Sequence, residues 1–156
     1  MDLYILIGLQ ASGKSTFAQT RFAEHVYVSK DTMRNVKNKA RRQEAMMRLA
    51  FGQGQSVVVD NTNPTVADRV ALITLAREYE VPVTGYYFAS HLEACLGRNR
   101  QREGTARVPD VALYATRSKL ELPTYTEGFD LLYYVELNME SHDFSISAWQ
   151  EDIDAD

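Results

Sequence analysis

The stretch of sequence that most constrains the fold lies near the N-terminus and is Gly8-Leu9-Gln10-Ala11-Ser12-Gly13-Lys14-Ser15. It matches the pattern G-x-x-x-x-G-K-[ST] at every fixed position. The apolar run Leu3–Ile7 before it predicts a buried strand, and residues 14–24 after it predict a helix. A glycine-rich turn in that setting cradles phosphate groups, so the sequence predicts a phosphate-binding loop here.

The fixed residues of this loop have separate physical tasks. Gly8 and Gly13 let the backbone curl so that several N–H groups point at phosphate oxygens. Lys14 is expected to reach the β- and γ-phosphates of ATP, and the Ser15 hydroxyl to bind Mg²⁺. The other predicted ATP contacts are Gln10, Ala11, Ser12 and Thr16. The loop alone does not distinguish a kinase from a switch GTPase or a motor ATPase.

Segments of strand type alternate with helical patterns along the chain. Further strands are predicted at residues 25–28, 56–60, 81–88 and 131–137. Further helices are predicted at residues 65–79, 92–102 and 109–120, and one long helix or a helix pair at residues 31–52. The alternation predicts an α/β fold of the P-loop NTPase type, with a central five-stranded parallel sheet flanked by helices. We expect a single domain over residues 1–156 with a frayed acidic end from about residue 150.

Composition narrows the class of protein. Apolar residues make up 45% of the chain, and no apolar run approaches the roughly 20 residues of a membrane helix. No basic segment precedes the first apolar run, and the single cysteine, Cys95, is expected to fill a helix face. We therefore expect no membrane partner and a cytoplasmic location.

The net charge of −4 is unevenly distributed. Residues 137–156 hold six acids and no Lys or Arg, so the rest of the chain carries 17 basic and 15 acidic residues. Between Lys30 and Arg42 six basic residues face one acid. Such a basic rim attracts a polyanion. The alternative is an ordinary charged helix, since no aromatic residues interleave for base stacking.

The second predicted strand leads into Asp31, at the edge where parallel strands meet a ligand. A carboxylate there can accept the proton of an attacking hydroxyl, so Asp31 is predicted as a general base, with an N-cap as the alternative. Arg34 follows three residues later. If a helix begins at Asp31, Arg34 faces the same side and would hold a phosphate of the acceptor or of ATP.

Polar side chains also follow the third predicted strand. Asp60 is expected in the Mg²⁺ shell, or as a residue that orients Arg34 or Ser15. Thr62 and Asn63 come next and are candidates for acceptor binding, with turn formation before a proline as the alternative.

A segment between the last two predicted helices contains four arginines, at positions 98, 100, 102 and 107. Small kinases use lid arginines to neutralise charge on the transferred phosphoryl group. Gly104 supplies a point where such a lid can bend. The segment is therefore predicted to be a lid, with a solvated basic surface as the alternative.

These motifs together resemble the kinase domain of the polynucleotide 5′-hydroxyl kinases, in both the phage and the mammalian forms. The matching positions, in order over most of residues 4–136, are residues 8–16, Ser29-Lys30-Asp31-Thr32, Val59-Asp60-Asn61-Thr62-Asn63-Pro64, Arg69, residues 99–103, Val108-Pro109, Tyr114, Leu122-Pro123-Thr124 and Glu127-Gly128-Phe129. Two departures are Gln10-Ala11 in place of the family's common Pro-Gly, and Lys30 where Arg is usual. The resemblance implies a stand-alone kinase domain, since no phosphatase motif is found in a strand context.

The resemblance assigns roles to individual positions. It implies that Asp31 is the base for a 5′-hydroxyl, that Arg34 binds the acceptor phosphate and that Asp60 supports Arg34 or the metal shell. Arg102 matches the lid arginine, while Arg98 matches the phage form and Arg100 the mammalian form. The implied catalytic residues are Lys14, Asp31, Arg34 and Arg102; the acceptor-binding residues are Asp31, Arg34, Asp60, Thr62 and Asn63; Ser15 and Asp60 are the metal ligands.

Three functions remain open from the sequence. The first is transfer of the γ-phosphate of ATP to the 5′-hydroxyl end of DNA or RNA. The second is a kinase for a small metabolite or nucleotide, which the overall acidity favours. The third is an ATP-binding regulatory module, which needs neither a base nor an arginine-rich lid. Oligomeric state is not predicted.

Overall fold

The structure, a computed structural model, describes residues 1–151. Its strands are β1 Leu3–Ile7, β2 Val26–Val28, β3 Val57–Asp60, β4 Val83–Phe88, β5 Leu131–Leu137 and β6 Phe144–Ala148. They form one sheet in the order β2-β3-β1-β4-β5-β6. Strands β1 to β5 are parallel, which confirms the predicted α/β fold and its parallel strands.

The prediction of five strands was incomplete, because β6 adds a sixth strand antiparallel to β5. The segment that forms β6 lies in a polar, acidic region, and its apolar residues Phe144 and Ile146 are only half-buried. Trp149 follows and is buried against Tyr87. Pairing with β5 and these few apolar contacts place the strand, and neither is visible in a short local pattern.

The predicted helices are all present, with shifted ends. They are α1 Lys14–Arg21, α2 Lys39–Gly52, α3 Val66–Glu78, α4 Leu92–Arg100 and α5 Asp110–Lys119. The largest shift is in α2, which was predicted over residues 31–52. A short 3-10 turn at Lys30–Thr32 and a loop with Asn35 at φ 60° come first, and Asn38 then caps the helix. The charged composition of residues 31–38 suggested a helix, but hydrogen bonds from side chains to the nearby backbone favour a turn and a loop there.

The core lies on both faces of the sheet. Ile5 and Ile7 of β1 face a cluster that covers α2 and α3, whereas Leu6 between them faces a second cluster with Phe17 of α1. Successive residues of a strand point to opposite faces, so one apolar strand serves both layers. The sheet is thus held between helices with its strand ends free for ligands.

Three further expectations concerned Cys95, membrane-spanning helices and the C-terminal residues. Cys95 is fully buried in α4, and burial raises the pKa of its thiol, in agreement with a packing role. Among residues 1–151, no helix is both long and apolar enough to cross a membrane. Most of the predicted frayed end, residues 152–156, lies outside the described residues.

Candidate active site

A cleft of about 700 Å³ opens at the carboxyl ends of β1, β2 and β3. This is the edge at which open parallel sheets bind ligands. Its lining includes ten of the residues predicted for the site: Gln10, Ala11, Lys14, Ser15, Asp31, Arg34, Asp60, Thr62, Asn63 and Arg102. Residues separated by as much as 92 positions in the chain thus meet in one concave site.

The glycine-rich loop forms one wall of the cleft. Gly13 has φ 102° and ends the loop at the first turn of α1, where a side chain would also meet the Phe144 ring. Lys14 is buried, and its Nζ donates to the carbonyl oxygens of Gly8 at 3.0 Å and Leu9 at 2.6 Å. Burial lowers the pKa of Lys14 to about 8, although the charge of Asp60 offsets part of this effect.

Asp60 connects the loop to the sheet. Its Oδ2 accepts hydrogen bonds from Ser15 Oγ at 2.7 Å and from Tyr27 Oη at 2.5 Å. Burial, together with the hydrogen bond to Asp60, raises the pKa of Tyr27 to about 12, so the phenol stays a donor at neutral pH. Of the two partners expected for Asp60, the structure shows Ser15 and no hydrogen bond to Arg34.

Asp31 lies exposed in the cleft, on the turn that follows β2. The N-cap alternative was wrong, because Ser29 caps this turn by accepting from the Asp31 backbone N–H at 3.2 Å. The helix expected to align Asp31 with Arg34 is also absent. Arg34 nevertheless reaches the same cleft, and its Nη2 donates to Thr105 Oγ1 of the lid at 3.3 Å.

The loop after β3 is fixed by its own side chains. Asn63 adopts φ 43°, and its Nδ2 donates to the Leu6 carbonyl oxygen at 2.7 Å. The Thr62 carbonyl oxygen accepts from the Gly8 N–H at 3.0 Å, which joins this loop to the phosphate-binding loop. Arg69 donates to the Asn63 carbonyl oxygen at 3.0 Å from beneath. These residues therefore hold the backbone that lines the acceptor side.

The four lid arginines differ in position. Arg102 lines the cleft, and its Nη1 lies 3.4 Å from the Ala106 carbonyl oxygen. Arg98 instead donates from Nε to the Ala11 carbonyl oxygen at 2.6 Å and lies outside the cleft lining. Arg100 pairs with Asp110 at the surface. The structure thus brings Arg102 to the predicted site and leaves Arg98 against the backbone of the loop.

Thr16 is exposed on α1 and is likewise outside the cleft lining, whereas Gln10 lines it and donates to Thr116 Oγ1 at 3.0 Å.

The sequence did not predict two residues that help to hold the site, Tyr27 and Gln43. In the sequence, Tyr27 differed from its neighbours only by a polar hydroxyl within a short apolar strand. Gln43, whose Oε1 accepts from Asn61 Nδ2 at 2.7 Å, gave no signal within a charged helix.

A parallel α/β sheet with this loop, a carboxylate at the end of β3 and an arginine-bearing lid defines a P-loop nucleotide-binding domain of the kinase type. The sequence profile of the family described as "AAA domain" matches residues 3–123. The chain belongs to this family.

Relatives and solved structures extend the comparison. The bifunctional polynucleotide phosphatase/kinase of Schizosaccharomyces pombe is 32% identical over 133 residues, which cover 82% of this chain and 32% of that protein. A fungal RNA kinase superposes with a TM-score of 0.65 at 15% identity, covering 87% of this chain and 38% of the other. A gluconokinase from Sinorhizobium meliloti 1021 gives 0.62 at 16% identity, covering 86% and 82%. The chain spans about one third of the length of the curated relatives it matches.

Proposed function

We propose that this domain transfers the γ-phosphate of ATP to the 5′-hydroxyl end of a polynucleotide. One observation carries the proposal: Lys14 and Ser15 line the same cleft as Asp31 and Arg34. Phosphoryl transfer needs a phosphate cradle and a base that meets the attacking hydroxyl, and the glycine-rich loop and Asp31 suit these two tasks.

The residues present fit ATP with Mg²⁺. The hydroxyl of Ser15 and the buried carboxylate of Asp60 are hard oxygen donors, and Ser15 Oγ lies 2.7 Å from Asp60 Oδ2. Such donors suit Mg²⁺, which binds one or two protein oxygens together with phosphates. When bound, Mg²⁺–ATP supplies the phosphoryl group and a cation that neutralises its charge.

Each side chain then has a defined task in the transfer. Asp31 accepts the proton of the attacking hydroxyl. Arg34 holds a phosphate of the acceptor strand by charge-assisted hydrogen bonds. Lys14 and Arg102 stabilise charge on the transferred group, which is where most catalysis of phosphoryl transfer arises.

Two further observations favour a polynucleotide acceptor. Two basic residues, Lys30 and Arg34, line the cleft together with Asp31, and positive surfaces attract phosphate backbones. The similar protein from Schizosaccharomyces pombe is named a polynucleotide phosphatase/kinase, and its similarity covers 82% of this chain.

A small-molecule kinase is the second candidate, supported by the similar fold of a gluconokinase and by the net charge of −4. An ATP-dependent regulatory module is the third candidate. It is the least favoured, because such a module needs neither a base such as Asp31 nor a lid arginine such as Arg102. Salt-sensitive binding of oligonucleotides separates the first candidate from the other two.

The test is transfer of label from γ-labelled ATP with Mg²⁺ to matched DNA and RNA oligonucleotides that end in 5′-hydroxyl or 5′-phosphate. We expect label only on 5′-hydroxyl ends, and a loss of about 10²–10⁴-fold in Asp31→Asn with ATP binding retained. Asp143→Asn, which changes an exposed carboxylate far along the chain, serves as the control and should retain the parent rate. ATP binding without transfer to any oligonucleotide would refute the proposal and direct attention to metabolites.

A further inference from the structure

We infer that a groove between α2 and α3 binds the nucleotides that follow the acceptor end of a single strand, an inference that rests on the proposed function. The groove has a volume of about 480 Å³. Lys30, Asn63 and Asp68 line both this groove and the active-site cleft, so the two spaces adjoin. A strand whose 5′ end reaches Asp31 can therefore pass from the cleft to this groove.

The lining of the groove suits nucleotides. Ala40 of α2 with Ala67 and Ala71 of α3 provides exposed apolar surface for the flat faces of bases, and the buried Met47, Leu72 and Leu75 lie beneath it. Asn38 and Gln43 add carboxamides that can pair with base edges. Polar groups over an apolar floor are typical of ligand sites.

Two cations of the groove suit the phosphates of a strand. Arg41 and Lys30 line it, and an arginine can pair with phosphate or stack on a base. Of the two acids in the lining, Glu44 is paired with Arg48 at 3.0 Å. The other, Asp68, lies at the junction with the cleft, where its carboxylate can accept from a base amino group or a sugar hydroxyl.

A hydrogen-bonded chain links the groove to the catalytic turn. Gln43 Oε1 accepts from Asn61 Nδ2 at 2.7 Å, and Asn61 Oδ1 accepts from the Lys30 backbone N–H at 2.9 Å. Lys30 precedes Asp31 in the chain. A nucleotide that settles against Gln43 therefore contacts the residue that helps to hold the turn carrying Asp31.

The test compares acceptors of different length, with Arg41→Ser as the variant. The acceptors are a nucleoside 3′-phosphate, a trinucleotide and a ten-nucleotide strand, all with a 5′-hydroxyl. We expect Arg41→Ser to raise KM about 3–10-fold for the ten-nucleotide strand and to leave KM for the nucleoside 3′-phosphate unchanged. Losing one phosphate contact should also reduce the salt dependence of 1/KM for the long strand by about 0.7 in log–log slope.

Arg42→Ser is the matched control, because Arg42 is a neighbouring exposed arginine on α2 that is not part of the groove lining. Both variants keep the Arg41 backbone N–H, which donates to Asn38 Oδ1 in the cap of α2. Equal effects of the two variants would overturn the inference, because they would indicate general attraction. Unchanged KM values in Arg41→Ser would also overturn the inference. A protein segment would then be the better candidate ligand for the groove. If the parent phosphorylates no 5′-hydroxyl acceptor of any length, the proposed function itself fails.

Discussion

A single carboxylate oxygen, Oδ2 of Asp60, joins the phosphate-binding loop to the sheet. It accepts from Ser15 at 2.7 Å and from Tyr27 at 2.5 Å. Ser15 would hold Mg²⁺ through the same hydroxyl, and Tyr27 would then be the donor that orients Asp60. Because Asp60 is only 4% exposed, water replaces a lost donor poorly.

We predict that Tyr27→Phe weakens the Mg²⁺ site without removing ATP binding. A hydrogen bond to a charged group contributes about 1.5–3 kcal/mol, and about 1.4 kcal/mol is a factor of ten, so the Mg²⁺ concentration at half-maximal ATP binding should rise roughly 10–150-fold. Calorimetric titration of ATP at a series of Mg²⁺ concentrations measures this. Tyr133→Phe, on the same face of the sheet but outside the cleft lining, should behave like the parent. A shift of the same size in both variants would contradict the role of Tyr27.

Lys14 titrates close to neutral pH because it is buried. Its pKa is lowered to about 8 in the nucleotide-free protein, so above pH 8 the neutral amine predominates. ATP favours the charged form, and binding above pH 8 must therefore take up a proton. We predict that ATP affinity falls as pH rises from 8 to 9.5. At pH 8.5, calorimetry in two buffers of different ionisation enthalpy should show proton uptake, and Lys14→Met should abolish it. Identical proton uptake in parent and variant would assign the titration to another group.

At the scale of elements, a buried ion pair fixes the loop on the acceptor side. Arg69 of α3 and Glu127 have side chains that are 0% and 3% exposed, with Nε and Oε1 2.7 Å apart. Glu127 also accepts from the Thr124 N–H, and Arg69 donates to the Asn63 carbonyl oxygen. The pair thus ties three segments together beneath the cleft.

We predict that Arg69→Met destabilises the fold by about 3–5 kcal/mol, because Glu127 is left as an unpaired buried charge. The double variant Arg69→Met/Glu127→Leu should recover most of that loss, since a packed apolar pair can replace a buried ion pair. Denaturant unfolding measures both values. A double variant no more stable than Arg69→Met would show that the packing around the pair, and not the unpaired charge, determines the cost.

At the scale of the whole molecule, the cleft exists only in the folded chain, since its walls come from three strand ends, the turn after β2 and the lid. A ligand bound there stabilises the native state and not the unfolded chain.

We predict that Mg²⁺–ATP at a hundred times its Kd stabilises the protein by about 2.7 kcal/mol. For a chain of this size, that corresponds to a rise of roughly 5–10 °C in Tm. Thermal unfolding with and without nucleotide measures the rise, and Lys14→Ala should lose most of it. A parent Tm unaffected by Mg²⁺–ATP would mean that the cleft does not bind the nucleotide.

The amino-acid sequence was enough to predict the phosphate-binding loop, the five parallel strands and the positions of Asp31 and Asp60 in the cleft. These features depend on local patterns and on the rule that parallel strand ends share one edge. The start of α2, the sixth strand, the Arg69–Glu127 pair and the contacts of Tyr27 and Gln43 became visible only in the folded chain. These depend on which distant side chains meet, and a linear pattern of residues carries no record of such partners.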